Sequence, residues 1–199
     1  MKNKSILLLL IIFFTSCQKV LKMYLGFNEN LGIESTKRQH KYLNKKNIDT
    51  TNTYNFNLEE KPDFYNKKNR LDNVNDITIS PIQFRVFNKE KKFESGWQVC
   101  FGKLEFTGLL DTFPIKKLDR NYNPNLTFEN QIKLIENYKL KEPNLIQEDM
   151  DLYIFAFWSE STGKLSRNML KELDTYKRKY SDKKIQIIKI NISNIIKFD

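Results

Sequence analysis

The chain has 199 residues and carries 34 basic and 24 acidic side chains, which gives a formal net charge of +10. Its 40% hydrophobic and 13% aromatic content excludes a wholly disordered protein. Six Gly and five Pro exclude a collagen-like or low-complexity sequence, and two Cys exclude a miniprotein held by disulfides. The composition indicates a folded domain with a basic surface, and it does not by itself indicate an activity.

The first seventeen residues have the pattern of a secretion signal. Lys2 and Lys4 precede nine unbroken apolar residues, 6–14, which are too few for a helix of ~20 residues that crosses a bilayer. The run ends in Thr15-Ser16-Cys17 and resembles the lipobox of bacterial lipoproteins. The resemblance implies that residues 1–16 are removed and that Cys17 receives several acyl chains, palmitate among them. An interfacial helix with an incidental Cys remains the alternative.

That resemblance also implies a place in the cell. The protein is expected at the periplasmic face of a bacterial envelope membrane, anchored through Cys17. With Cys17 lipidated, Cys100 has no disulfide partner within the chain. Cys100 lies in the apolar-rich run 97–101, which favours a small buried side chain over a reactive thiol.

Residues 17–75 are predicted to form a lipid-anchored flexible tether, because nine Asn between 44 and 75 leave little apolar area to bury. Two stretches within it, residues 20–25 and 34–46, could each form a short helix lying on the membrane. A basic cluster there favours a solvated face with weak attraction to anionic lipid; nucleic acid is the disfavoured alternative, because the chain shows no nucleic-acid-binding motif. His40 is isolated and predicts no metal site. The cluster comprises Lys37, Arg38, Lys41, Lys45 and Lys46.

Residues 76–199 are predicted to form the folded domain. Apolar residues alternate on both sides of Pro81, which indicates an edge strand, and a charged loop, 88–96, leads to a second alternating run from Trp97. Together they predict a β-hairpin. Apolar residues at helical spacing from Phe128 predict a helix that Thr127 caps.

The last fifty residues predict a βαβ unit. Residues 152–158 are all apolar, which is typical of a strand buried on both faces. Apolar residues from Leu165 to Tyr180 then recur at spacings of three and four, and 185–192 form a second apolar run. The fold class is therefore α/β with a mixed sheet, a mixed α+β fold being the alternative. The helix begins where α/β sheets usually place their sites.

The turn that opens this helix, from Phe157 to Leu165, resembles the thioredoxin active-site turn. Phe157, Trp158, Glu160 and Gly163 match the family pattern, and the resemblance covers about residues 145–192. It implies a thioredoxin-like βαβ unit. The two family cysteines fall on Thr162 and Leu165, so the turn cannot exchange disulfides.

The same turn also has features of an anion site. Gly163-Lys164 after an apolar strand resembles a phosphate-binding P-loop, but Trp158 and Leu165 replace two residues that its motif requires. A helix start nevertheless favours an anion or an acidic partner near Thr162, Gly163 and Lys164. The alternative is an ordinary helix start capped by Ser161.

No catalytic constellation and no metal-ligand spacing is visible in the sequence, so neither an enzyme nor a cofactor is expected. The sequence predicts a non-catalytic binding or scaffolding lipoprotein. Its expected partners are the bilayer, through Cys17, and an envelope protein. The alternative is a thiol-redox helper, or another enzyme, that uses Cys100 or the thiols of a partner.

Overall fold

The computed structural model describes residues 36–55, 82–98, 110–115, 127–137 and 145–193. These residues include three α-helices and five strands, together with a 3-10 turn at Glu160–Thr162. In chain order the elements are α1 (Thr36–Lys45), β1 (Thr53–Asn55), β2 (Gln83–Asn88), β3 (Phe93–Gln98), α2 (Phe128–Asn137), β4 (Leu152–Trp158), α3 (Lys164–Lys179) and β5 (Ile185–Asn191).

The five strands form one mixed sheet in the order β1-β5-β4-β2-β3. Strands β1, β5 and β4 are parallel, and β2 and β3 add to β4 as an antiparallel hairpin. All seven residues of β4 are buried, as an apolar run at the centre of a sheet requires. The predicted α/β class with a mixed sheet is confirmed.

The predicted βαβ unit is present as β4, α3 and β5. The buried side chains of α3 include Leu165, Met169, Leu173 and Tyr176, which lie on the stripe that the spacing predicts. Helix α2 begins at Phe128, and Asn130 N donates to Thr127 Oγ1 at 3.2 Å, so the predicted cap is also confirmed.

Each face of the sheet carries its own hydrophobic cluster. Helices α1 and α3 lie on one face, where their apolar side chains pack on alternate residues of β4 and β5 such as Ile154 and Ile187. Helix α2 lies on the other face and packs its first residue, Phe128, against an aromatic cluster that includes Phe155 and Phe157. The molecule therefore has three layers, with the sheet in the middle.

Strand β2 is not an edge strand, so this prediction from the sequence is wrong. It pairs with β4 on one side and with β3 on the other, and it begins at Gln83, after Pro81 in the chain. The hairpin loop is also shorter than predicted, because β3 already begins at Phe93. The side chain of Asn88 accepts from Lys92 N at 2.9 Å, and Lys91 adopts a φ of 61°, which together close the turn early.

Residues 36–55 also differ from the sequence prediction, which places them in the flexible tether. Leu43 and Ile48 are buried in the α1/α3 cluster, and Tyr54 is buried in the α2 cluster. Strand β1 pairs in parallel with β5, from Thr53 beside Lys189 onward. The segment is ordered by contacts with residues more than a hundred positions away, which a local pattern does not reveal.

Several of the sequence predictions concern residues that the structure does not describe. These include the predicted signal peptide at 1–16, Cys17, residues 56–81 and Cys100. Within the described ranges, no helix has the length and apolar character needed to cross a membrane.

Candidate functional site

The candidate site lies at the carboxyl end of the parallel strands, where the turn Ser159–Gly163 leaves β4. Trp158 ends β4 beside Asn191 of β5, and Ile192 N donates to Trp158 O at 2.8 Å. Two neighbouring parallel strands thus end together, and the turn and the residue after β5 share one small region.

Five hydroxyl side chains meet in this region: Ser159, Ser161, Thr162, Ser166 and Ser193. We call them the hydroxyl cluster. Ser159 Oγ lies 2.5 Å from Ser161 Oγ and 3.0 Å from Ser193 Oγ, and Ser166 Oγ accepts from Ser159 N at 3.1 Å. Ser193 Oγ in turn donates to Asn191 Oδ1 at 2.6 Å. The cluster therefore ties the ends of β4 and β5 to the start of α3.

Thr162 is the residue that the resemblance places at a cysteine position. Its side chain is buried, its hydroxyl donates to Ser159 O at 2.8 Å, and it also hydrogen-bonds Ser166. Leu165, at the second cysteine position, is also buried. Within the described residues, the hydrogen bonds of the hydroxyl cluster run to other hydroxyls, to backbone groups and to an amide oxygen, and none of these is a general base that would activate an alcohol as a nucleophile.

The predicted anion site shares this turn. Thr162 N donates to Ser159 O at 3.3 Å and Gly163 N donates to Glu160 O at 2.9 Å, so both amides already have acceptors within the turn. Lys164 is exposed. An anion at this helix start would therefore meet Lys164 and later amides rather than those of Thr162 and Gly163.

The cap also differs from the predicted one. Gly163, with a φ of 52°, is the N-cap of α3 and supplies no side-chain cap. Ser159 caps the 3-10 turn instead, because its Oγ accepts from Ser161 N at 3.1 Å. Ser161 is thus a donor in the first turn and not the cap.

Helix α1 covers this end of the sheet, which the sequence analysis did not predict. The Tyr42 ring stacks on Trp158 at a centroid distance of 6.0 Å, and Arg38 Nε lies 3.8 Å from Glu160 Oε2. Gln39 Nε2 donates to Tyr54 O over a long 3.4 Å. The helix that follows the proposed membrane anchor is therefore in contact with the turn.

The contacts between α1 and the turn leave some polar atoms unsatisfied. Within the described residues, the buried atoms Gln39 Oε1 and Trp158 Nε1 have no hydrogen-bond partner, and Glu160 Oε2 has only the ion pair with Arg38. Each such atom costs about 1–3 kcal/mol of folding free energy.

A buried ion pair fixes the segment that follows α1. Lys189 of β5 is 1% exposed, and its Nζ lies 2.9 Å from Asp174 Oδ1 of α3. The same Nζ donates to Asp49 O at 2.6 Å, and Asp49 N donates to Asp174 Oδ2 at 2.9 Å. This closed set of charge-assisted hydrogen bonds joins three parts of the chain.

The same surroundings shift the pKa of the Asp49 carboxyl group. Burial alone would raise its pKa, but hydrogen bonds from Thr51 N and Oγ1 and the charges of Lys189 and Lys177 outweigh that effect. The net result is a lowered pKa, so Asp49 is ionised at neutral pH.

No group of three or more His, Cys, Asp or Glu side chains within the described residues could hold a metal ion. His40 lies half-buried on α1. Comparison with known proteins adds no relative: no family model, no curated protein and no solved structure matches the chain.

Proposed function

We propose that this chain is a bacterial cell-envelope lipoprotein, anchored to a membrane through Cys17, whose domain binds or scaffolds a partner without catalysing a reaction. The βαβ unit is then a thioredoxin-like unit without its thiols. The anchoring part rests on the apolar run 6–14 and on Thr15-Ser16-Cys17. Residues 1–16 are a signal peptide in this proposal.

One observation carries the non-catalytic part: a satisfied hydroxyl cluster lies where a thioredoxin-like unit would place its thiols. Thr162 is 1% exposed and both donates and accepts hydrogen bonds inside the turn. An alcohol in that position cannot form a disulfide, and no base lies in its hydrogen-bond network. The parallel arrangement of β4 and β5 around α3 supports the thioredoxin-like reading of the unit.

A disulfide-reduction assay on insulin tests this proposal. We expect the rate to equal that without protein, and Cys100→Ala to leave it unchanged. Thiol labelling of the native protein is expected to leave Cys100 unmodified until the chain is denatured. Reduction above background that disappears in Cys100→Ala would overturn the proposal and favour the thiol-redox helper.

The binding part makes a separate prediction at the start of α3. If an anion or an acidic peptide binds there, Lys164→Glu removes a charge-assisted contact and adds repulsion, which should weaken capture of an envelope partner roughly tenfold or more. Lys184→Glu, an exposed change in the loop after α3, is the matched control. If the two variants captured the partner equally well, Lys164 would not contribute to binding and the turn would have a structural role only.

A further inference from the structure

Positive charge is distributed unevenly over the three layers. Helix α1 carries four cations and no acid, and α3 carries six cations and two acids. Eight of these ten cations are exposed, whereas Glu172 is the only exposed acid on the two helices. Helix α2, on the opposite side of the sheet, carries one cation and two acids. Among the described helices, the excess positive charge therefore belongs to the side of the sheet that carries α1 and α3.

The lysines of α1 lie on a single line. Lys37, Lys41 and Lys45 are spaced by four residues and are all exposed, while Gln39 and Leu43 on the other side of the helix are fully buried. Packing against the sheet holds the three ammonium groups on the outside. The basic cluster is thus an ordered surface of the domain rather than part of a tether.

Helix α3 continues this surface. The ion pair of Arg38 with Glu160, next to the start of α3, and the hydrogen bond of Asp49 N to Asp174, near its end, place α1 and α3 side by side and in the same general direction. Lys171 and Arg178 are exposed on α3. We call the exposed cations of α1 and α3 together the basic face.

Like charges four residues apart destabilise a helix by a few tenths of a kcal/mol per pair. A helix with several such pairs on its exposed side is less stable than it would be with mixed charges. Features that reduce local stability in this way are expected at functional surfaces. An anionic partner that meets the basic face would remove this repulsion.

The chemistry of the basic face favours lipid headgroups over nucleic acid. No aromatic side chain is exposed anywhere in the described part of the chain, so the stacking platforms used for single-stranded nucleic acid are missing there. Six of the eight exposed cations are lysines, which attract a charged membrane surface without needing a directed geometry.

We propose that the basic face docks on the anionic phospholipid headgroups of the membrane that holds the protein. This inference rests on the proposed anchoring at Cys17. The 18 residues between Cys17 and α1 span at most ~60 Å when extended, so the anchor holds the domain close enough to the bilayer for the basic face to touch it. Docking presents α2 and the far side of the sheet to the aqueous phase.

The test uses the mature lipidated protein, purified from membranes and reconstituted into vesicles. A fluorophore is attached at Asn168→Cys, an exposed position of α3, in a Cys100→Ala background. Vesicles contain a headgroup-spin-labelled lipid as quencher, in phosphatidylcholine with or without phosphatidylglycerol. We expect quenching only with phosphatidylglycerol, and we expect high salt to abolish it because the charges are exposed.

Two charge-reversed variants with the same change in net charge sharpen the test. The first is Lys37→Glu/Lys41→Glu/Lys45→Glu on the basic face, and the second is Lys89→Glu/Lys92→Glu/Lys184→Glu in exposed loops elsewhere. Each surface lysine contributes roughly fivefold to binding an anionic membrane, so the first variant should shift the ratio of docked to undocked protein more than a hundredfold. The second should retain most of the quenching.

The outcomes separate the two proposals. Flotation with phosphatidylcholine vesicles reports the anchor alone, so a protein that fails to float refutes anchoring; binding to added phosphatidylglycerol vesicles then still reports the basic face. Equal quenching in both lipids, or equal loss in both variants, would overturn the docking. Tighter binding to duplex DNA or RNA than to anionic vesicles, lost in the first variant, would assign the face to nucleic acid and also overturn it.

Discussion

The two sides of the sheet are built from different chemistry. On the α2 side, aromatic rings pack edge to face: Phe128 lies 5.0 Å from Tyr153 and 5.6 Å from Phe155 between ring centroids. The α1/α3 side is lined mainly by aliphatic residues, with Phe84, Trp158 and Tyr176 among them, and it contains the Lys189–Asp174 ion pair and borders the hydroxyl cluster. One side is thus held mainly by shape and dispersion, and the other also by directed polar contacts.

The α2 side contains one buried cation of its own. Arg85 Nη1 donates to Gln131 Oε1 at 2.6 Å, and its guanidinium lies 5.2 Å from the centre of the Phe157 ring. Burial lowers the pKa of Arg85 to about 9, which still leaves it charged at neutral pH. Both sides therefore bury charge, but among the described helices it is α1 and α3 that also carry an excess of exposed cations, where a partner can meet them.

The largest effect is expected on the aromatic side. Phe155→Asp places a carboxylate in a fully buried position of the central strand, at a cost comparable to the ~5–15 kcal/mol that stabilises a whole domain. The variant should fail to fold, as judged by circular dichroism. Asn168→Asp, an exposed addition of the same charge, should melt like the parent. A Phe155→Asp protein with a parental melting curve would show that β4 is not central.

Breaking the ion pair should produce the next largest effect. Lys189→Met leaves Asp174 buried without its cation and should cost about 3–5 kcal/mol in denaturant unfolding. Lys189→Met/Asp174→Leu leaves no charge unpaired and should recover part of that loss, while the lost hydrogen bonds to Asp49 N and O prevent full recovery. A double variant as unstable as Lys189→Met would contradict this account, because it would show that the loss does not come from an unpaired charge on Asp174.

Leu43→Ala decides whether residues 36–55 belong to the domain. Leu43 is fully buried on α1, so the truncation should cost about 2–5 kcal/mol, whereas exposed Asn44→Ala should cost less than ~0.5 kcal/mol. Chemical denaturation of the full chain measures both. If Leu43→Ala left the free energy of unfolding unchanged, residues 36–55 would belong to the flexible tether that the sequence predicts. The basic face would then not be an ordered surface.

The smallest effect concerns pH. The pKa of Asp49 is lowered on folding from its ordinary 3.8, so its contribution to stability is present above about pH 3.8 and is lost as the pH falls through the lower folded value. Wild type and Asp49→Asn should therefore differ in melting temperature near neutral pH and converge in acid. A difference that stays constant down to pH 3 would contradict an ionised Asp49.

The sequence predicted the elements with strong local periodicity and missed those ordered from a distance. Helix α3 and strands β4 and β5 follow from apolar spacing alone. Strand β1 has three residues, and its order comes from pairing with β5, so no local pattern marks it. The central position of β2 was missed for the same reason.

The candidate site shows the same division. The turn 159–163 and the exposure of Lys164 follow from the end of an apolar strand and the start of a helix. The hydroxyl cluster does not, because Ser193 reaches Ser159 across 34 positions of sequence. The cover of α1 over Trp158 is equally non-local, since Tyr42 is far from it in the chain.

Anchoring through Cys17 underlies both the proposed function and the orientation of the basic face, and the mass of the N-terminal peptide decides it. The protein would be isolated from membranes and digested, and this peptide would be measured by mass spectrometry. We expect it to begin at Cys17 and to carry the added mass of several acyl chains. A terminus at Met1, or an unmodified thiol at Cys17, would contradict the proposal.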